Sequence, residues 1–161
     1  MTRTVATPIG PVTIYADEEY ITGLYFGERG QGEGQSPLVL DECEKELNEY
    51  FAGKRKVFTV PIKAEGTPFR EKVWDALCQV PYGETASYLD IAVAIGNPKA
   101  VRAVGGANHN NPISIIIPCH RIIGSDGSLT GYGGGLSAKE WLLDFEAKYK
   151  KQSIKASINN G

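Results

Sequence analysis

The 161-residue sequence predicts an α+β fold in two parts: a small N-terminal α/β domain, an antiparallel sheet plus a helix, and a C-terminal, mostly helical domain with a helix-turn-helix. Strand-like patterning is confined to residues 1–62, helical spacing dominates residues 67–150, and the polar stretch 63–66, Lys63-Ala64-Glu65-Gly66, links them. The charge balance changes at the same place. Residues 1–62 carry six Lys/Arg against ten Asp/Glu, and residues 63–161 carry eleven against nine.

Pro11 to Tyr15 and Tyr20 to Phe26 read as two strands joined by the acidic turn Asp17-Glu18-Glu19, a hairpin. Gly27 to Pro37, rich in Gly and Gln, reads as a mobile loop. Leu40, Cys43, Leu47, Tyr50 and Phe51 recur at helical spacing and turn Cys43 toward a core. Val57 to Ile62 reads as a further strand.

Thr67 followed by Pro68 is a hydroxyl N-cap with proline at the first helical position. Phe69, Val73, Trp74 and Leu77 mark the inward face of that helix, with Cys78 packed beside Trp74. Pro81-Tyr82-Gly83 breaks it, and a second helix follows from about Ser87 to Ile95 with Leu89, Ala92 and Val93 inward. Gly96 ends this helix, and Asn97-Pro98 repeats the cap-plus-proline signal for a third, Lys99 to about Ala107. Ser137-Ala138-Lys139-Glu140 is a capping box for the last helix, with Leu136 and Trp141 as its hydrophobic staple. That helix is expected to fade near Lys150 and leave 151–161 as a polar, disordered tail.

Several function classes are excluded. No apolar run approaches a bilayer span, and no signal-peptide core follows Met1, which predicts a cytoplasmic protein without a membrane partner. The three cysteines, Cys43, Cys78 and Cys119, are odd in number and lack metal-ligand spacing, so neither a disulfide framework nor a zinc or other metal site is expected.

The chemistry concentrates in Ile115-Ile116-Ile117-Pro118-Cys119-His120-Arg121, where an apolar run hands over to a cysteine followed by a histidine and an arginine. An unperturbed thiol has a pKa of about 8.5, and a neighbouring base or positive charge activates it. Taken by itself the Cys-His pair reads more readily as a packed core thiol beside a surface histidine. Around it, no acid occurs between Asp90 and Asp126, while Lys99, Arg102, Arg121, His109 and His120 all fall in that interval, a balance suited to a polyanion. The third helix has a small-residue face with only Lys99 and Arg102 charged, suiting a narrow groove or a wedge better than hydrogen bonding to base edges in the major groove. Gly131-Tyr132-Gly133-Gly134-Gly135 is a loop able to approach a ligand closely.

Four blocks in order give these features a family context. They are Val80-Pro81-Tyr82-Gly83-Glu84 with Ser87-Tyr88, Gly96-Asn97-Pro98-Lys99 through Ala107, Pro118-Cys119-His120-Arg121, and Gly134-Gly135-Leu136 running into Lys139-Glu140-Trp141-Leu142-Leu143. Together they resemble the O(6)-alkylguanine-DNA alkyltransferases, the methylated-DNA-protein-cysteine methyltransferases. The resemblance implies a scaffold role for the N-terminal domain. It implies that a damaged guanine is flipped from the minor-groove side and that its alkyl group moves irreversibly to the cysteine, one group per molecule, with O(4)-alkylthymine as a second substrate.

Carried onto this sequence, the resemblance makes Cys119 the alkyl acceptor, His120 its base through a water, and Glu146 the group orienting the imidazole. Tyr88 matches the proton donor to the base and Asn111 the residue ordering the turn around the cysteine. Arg102 matches the arginine that fills the gap left by the flipped nucleotide. Asn97 and Ser125 would touch phosphates, and Lys99, Ala100 and Arg121 are placed with them on the DNA side. Tyr132, Gly133 and Gly134 would line the base pocket. Gly133 replaces a serine of some relatives and Ser114 a proline, both flanking that pocket. The implied partner is double-stranded DNA carrying alkylated guanine, bound by a monomer, and no cofactor is implied. The rival readings are a damage-sensing DNA binder lacking the acceptor cysteine, which Cys119 opposes, an alkylation-sensing DNA-binding regulator, and a cysteine hydrolase that turns over.

Overall fold

The computed structural model describes residues 1–29, 38–132 and 134–160. Three antiparallel strands, β1 (Thr2–Val5), β2 (Val12–Ala16) and β3 (Ile21–Phe26), form a sheet in the order β1-β2-β3. The predicted hairpin is β2–β3, and its turn is closed by Asp17, whose Oδ1 accepts from the Glu19 and Tyr20 amides at 2.8 and 2.7 Å. β1, only four residues long and polar on one face, carried no strand signal of its own and exists by pairing with β2. From residue 30 onward the predicted 27–37 loop lies outside the described residues.

Helix α1 (Leu38–Phe51) covers the sheet as its spacing predicts, with Leu40, Cys43, Leu47 and Tyr50 fully buried in one core with Ile14, Ile21 and Leu24. Each aliphatic side chain buried in this way is worth about 1.5–3 kcal/mol. Burial pushes the Cys43 thiol up to about 12, as suits a packing residue rather than a nucleophile.

The expected strand Val57 to Ile62 is reduced to one parallel bridge between Ile62 and Ile21. Pro61 has no amide hydrogen to give, and the Thr59 and Val60 amides go instead to the buried carboxylate of Glu46, at 2.8 and 3.1 Å. Glu46 also accepts from the Thr59 hydroxyl at 2.7 Å and lies 3.7 Å from Arg55.

Thr67 caps helix α2 (Pro68–Leu77), its Oγ1 accepting from the Arg70 amide at 3.2 Å. Cys78, expected to pack beside Trp74, stands exposed at the C-cap because the helix stops at Leu77. Strand β4 (Ala86–Ser87) pairs in parallel with β5 (Ile122–Ile123), and Ser87 then caps helix α3 (Tyr88–Ala94) in a capping box with Asp90. The inward face of α3 carries Tyr88, Ile91 and Ala92, continued by Ile95, so Leu89 and Val93 are turned out, 44% and 57% exposed, contrary to expectation.

Gly96 ends this segment at φ 80°. Asn97-Pro98 does not cap the next helix. The Ala100 amide donates to the Asn97 carbonyl at 3.0 Å, making residues 97–100 a turn, and α4 (Val101–His109) starts later and runs two residues further than expected. Trp74 Nε1 donates to the Ala107 carbonyl at 2.9 Å and locks α2 against α4.

Helix α5 (Leu136–Asn160) also departs from its predicted start. The Lys139 amide bonds the Gly135 carbonyl at 3.2 Å, so Ser137 sits inside the first turn instead of capping it, and Leu136 is half exposed rather than stapled. The helix continues to Asn160 rather than fading near Lys150. Lys, Gln and Ala extend an existing helix without a new nucleation step. No described helix is long and apolar enough to cross a membrane.

Because Glu46 alone satisfies two amides of the 57–62 segment, Glu46→Ala strands buried donors. We expect a loss of about 2–4 kcal/mol, read as a lower urea midpoint at unchanged m-value. A midpoint equal to wild type would show that water replaces the carboxylate at no cost.

Candidate active site

The site is built on the segment after α4. The Leu24 amide donates to the Pro112 carbonyl at 2.9 Å and the Ser114 amide to the Leu24 carbonyl at 3.2 Å, so the free edge of β3 grips the chain just before the cysteine. Ile113, Ile115 and Ile117 bury beneath this edge, and Ile115 is held at φ 73°, a left-handed conformation that costs a β-branched residue about 1–3 kcal/mol. Asn111 braces the turn from inside: its Nδ2 donates to the Ile117 carbonyl and its Oδ1 accepts from the Ile113 amide, both at 2.9 Å. Pro118 then leads into a 3-10 turn, Cys119–Arg121, in which all three residues are buried.

Cys119 is 4% exposed. Burial pushes its thiol up, and a hydrogen bond from Asn111, the charge of Lys139 and a hydrogen bond from Ser114 pull only partly against it. The sequence pointed to His120 and Arg121 as activating neighbours. In the folded chain the Arg121 charge is engaged elsewhere, and the buried cation near the thiol is Lys139, whose Nζ donates to the Ile122 and Thr130 carbonyls at 2.5 and 3.1 Å. Lys139 has no exposure, and burial lowers its ammonium from the ordinary value. The sequence places it in a capping box and in the last family block, and neither assigns it a place beside the thiol.

His120 is fully buried with Nε2 2.8 Å from Glu146 Oε2. An ionised carboxylate can only accept, so Nε2 carries the hydrogen and Nδ1 is the free acceptor; Nδ1 makes no hydrogen bond to any described residue. Burial holds the imidazole below its usual value, although Glu146 pulls the other way.

Glu146, 1% exposed, is the centre of the arrangement. Its Oε2 accepts from His120, from Arg121 NH2 at 2.9 Å and from the Tyr50 hydroxyl at 2.6 Å; its Oε1 accepts from Arg121 Nε at 2.8 Å and the Gly83 amide at 3.3 Å. Burial alone would raise this carboxyl, but the hydrogen bonds and charges of His120 and Arg121 outweigh it and hold Glu146 well below the carboxylate range. Arg121, which the resemblance places with the DNA-side residues, turns inward instead. It is 7% exposed, its fork is closed on Glu146, and NH1 donates to the Val80 carbonyl at 2.8 Å. Helical spacing marks Tyr50 as a core aromatic, and nothing in that spacing reveals that its hydroxyl reaches the other half of the chain.

Cys119 opens onto a cavity of about 260 Å³ whose walls include Asn111, Ser114 and Tyr132, and from the N-terminal half Tyr25, Phe26 and Arg29. The Tyr132 ring meets Phe26 edge-on at 5.4 Å and His120 at 6.4 Å. Gly134 is not part of this wall; a Cβ there would come within 3.0 Å of the Phe26 ring, so glycine lets that ring close in. Gly133 lies outside the described residues. Tyr88 stands to one side, sharing a hydrogen bond of 2.5 Å with the Thr130 hydroxyl next to the Gly131 rim. Asn97, Lys99, Arg102 and Ser125 are exposed, Ala100 is half-buried, and Ser125 lies across a shallow depression from Ser87 and Asp90. Among the described residues no three His, Cys, Asp or Glu side chains converge as a metal site.

The chain is similar in sequence and in fold to known proteins. Residues 68–148 match the model of the 6-O-methylguanine DNA methyltransferase DNA binding domain, and residues 1–64 that of its ribonuclease-like domain. The chain is 47% identical to a methylated-DNA–protein-cysteine methyltransferase of Methanosarcina barkeri, covering 88% of this chain and 94% of the relative. It is 44% identical to the constitutive enzyme of that name in Bacillus subtilis, over 92% and 97% of the two chains. The Mycobacterium tuberculosis OGT, solved in complex with DNA, superposes with a TM-score of 0.85 at 45% identity, covering 92% of this chain and 93% of that one.

The environment of Cys119 predicts a thiol that ionises above the ordinary value in the folded protein. Iodoacetamide labelling followed by peptide mass spectrometry should give a pH midpoint higher than in the urea-unfolded chain, and Lys139→Met should move it higher still. A folded midpoint below the unfolded one would mean that charge, not burial, rules this thiol.

Proposed function

The chain belongs to the 6-O-methylguanine DNA methyltransferase family, and on that premise we propose that it repairs DNA by moving the alkyl group of O(6)-alkylguanine to Cys119 in one irreversible step. The observation that carries this reading is the buried relay Glu146–His120 behind a cysteine at a cavity large enough for part of a base. A buried thiol with an up-shifted pKa needs a base, and His120 offers Nδ1 as an acceptor with its tautomer held by Glu146.

The transfer balances without a cofactor. A bridging water passes the Cys119 proton to His120 Nδ1, the sulfur attacks the alkyl carbon, an S–C bond forms, and the C–O6 electron pair leaves with the guanine. Tyr88 protonates the departing base and recovers a proton from the relay, so the thiol proton ends on guanine and the alkyl group on sulfur. The product thioether has no hydrolytic path in this site, so each molecule acts once. The same displacement at the alkyl–O bond extends the reading to O(4)-alkylthymine.

The substrate atom is buried in stacked DNA, so the base has to be flipped, at a cost of a few kcal/mol. The exposed face of α4 with Arg102 and Val101, supported by α3, suits a minor-groove helix-turn-helix whose arginine fills the gap; Asn97, Lys99 and Ser125 suit phosphates. The acid-free interval from Asp90 to Asp126 supports the same face. Tyr132 and Gly131, which line the cavity, suit the base pocket.

Two measurements test this. Incubation with an O(6)-methylguanine duplex should place one methyl group on the Cys119 peptide and stop at one equivalent; continued turnover, or transfer surviving in Cys119→Ala, would sink the proposal. Arg102→Ala should slow repair of duplex DNA by about tenfold, the loss of one contact worth ~1.4 kcal/mol, while reaction with a free-base analogue falls less than twofold. Equal losses on both substrates would remove Arg102 from the flipping step.

A further inference from the structure

We propose that Tyr50, carried on α1 in the N-terminal half, is a positioning residue for the alkyl transfer: its hydroxyl shares Glu146 Oε2 with His120 Nε2 and sets how strongly the carboxylate holds the imidazole. This rests on the functional reading above and extends it, because Tyr50 lies in the segment 1–64 whereas the relay lies in 68–148.

The geometry leaves the hydroxyl little choice. The Tyr50 ring is fully buried among Phe51, Phe58, Tyr82 and Phe145, with centroids 5.0 to 6.1 Å away, so its rotamer is fixed by packing. Its oxygen sits 2.6 Å from Glu146 Oε2, the same atom that His120 reaches at 2.8 Å and Arg121 NH2 at 2.9 Å. Burial, and then Glu146, keep the phenol far above its usual pKa, so it remains a proton donor over the working range.

Three donors on one oxygen divide its charge. Facing His120 are Glu146 and Lys139 from α5, Arg121 and Cys119 beside it in the chain, and the Tyr132 ring. Facing Glu146 from the rest of the molecule are Tyr50 on α1, the Gly83 amide and Tyr82. Arg121 contributes a full charge and cannot be removed without leaving a buried carboxylate unpaired. Tyr50 is the neutral donor of the set besides His120 itself. With it present, Glu146 orients the imidazole without drawing a proton onto it; without it, more of the Oε2 charge falls on His120 and the imidazole becomes easier to protonate.

The full-length Tyr50→Phe variant removes one oxygen and keeps the ring. Titrating the His120 ring nitrogens by NMR should give a midpoint about one pH unit higher than in the wild type, the scale of one hydrogen bond to a charged group. The acid limb of single-turnover methyl transfer should move up by the same amount, since a protonated His120 accepts nothing from Cys119. Tyr82→Phe, which removes a buried hydroxyl without a hydrogen-bond partner among the described residues, should leave both where they were. If Tyr50→Phe melts earlier but His120 titrates as in the wild type, Tyr50 is a structural link and the proposal is overturned. The NMR titration needs no substrate, so a wild-type protein that transfers no methyl group would defeat the functional reading while the imidazole midpoint still decides the role of Tyr50.

Discussion

Keeping the Glu146 charge inside the protein is the constraint to which the rest of the site answers. A carboxylate at 1% exposure costs several kcal/mol unless its lone pairs are filled and its charge is matched. Here Arg121 matches the charge with two hydrogen bonds, and His120, Tyr50 and the Gly83 amide fill what remains. Each partner is fixed in turn. Arg121 is drawn inward and lost to the surface, and the His120 tautomer is settled. α1 is tied to α5, and the turn after α2 is bent so that Gly83, at φ 77°, can present its amide. A side chain at that glycine would also run into Lys150.

The charge compensation explains why the acceptor thiol is quiet. With Arg121 committed to Glu146, Cys119 sits beside a neutral imidazole and a buried lysine, and burial dominates. On the proposed transfer, in which the nucleophile is not regenerated, this suits the chemistry. A permanently ionised, accessible thiolate reacts with oxidants and stray electrophiles, and every such event removes a molecule from service. On the proposed route, in which the buried thiol loses its proton through His120, ionisation is tied to a filled site.

Local signals were legible in the sequence and tertiary ones were not. The β2–β3 hairpin, the periodicity of α1 and the Thr67-Pro68 start are written within a few residues, and each stands in the structure. Asn97-Pro98 carries the same spelling as Thr67-Pro68, yet it forms a turn, because the Ala100 amide is taken by the Asn97 carbonyl. Leu89 and Val93 match a helical face, but the face that turns inward was chosen by what α3 packs against. Arg121 adjoins the cysteine, and composition cannot distinguish an arginine closing on a buried carboxylate from one reaching for phosphate. The Lys139 ammonium and the Tyr50 hydroxyl were illegible for the same reason: their partners come from distant segments.

The two halves of the sequence are therefore not two separable jobs. The left-handed Ile115 stays in place only if both ends of its turn are over-determined. Asn111 supplies bonds from inside, and Leu24 on β3 supplies two from across the boundary. Phe26, two residues further along that strand, forms a wall of the cavity in front of Cys119 and packs close over Gly134, where a side chain would crowd the ring. Tyr50 reaches the carboxylate behind His120. The N-terminal sheet and helix thus hold the acceptor turn, shape its cavity and touch its relay, so a change at the sheet edge acts on the acceptor through direct contacts as well as through stability.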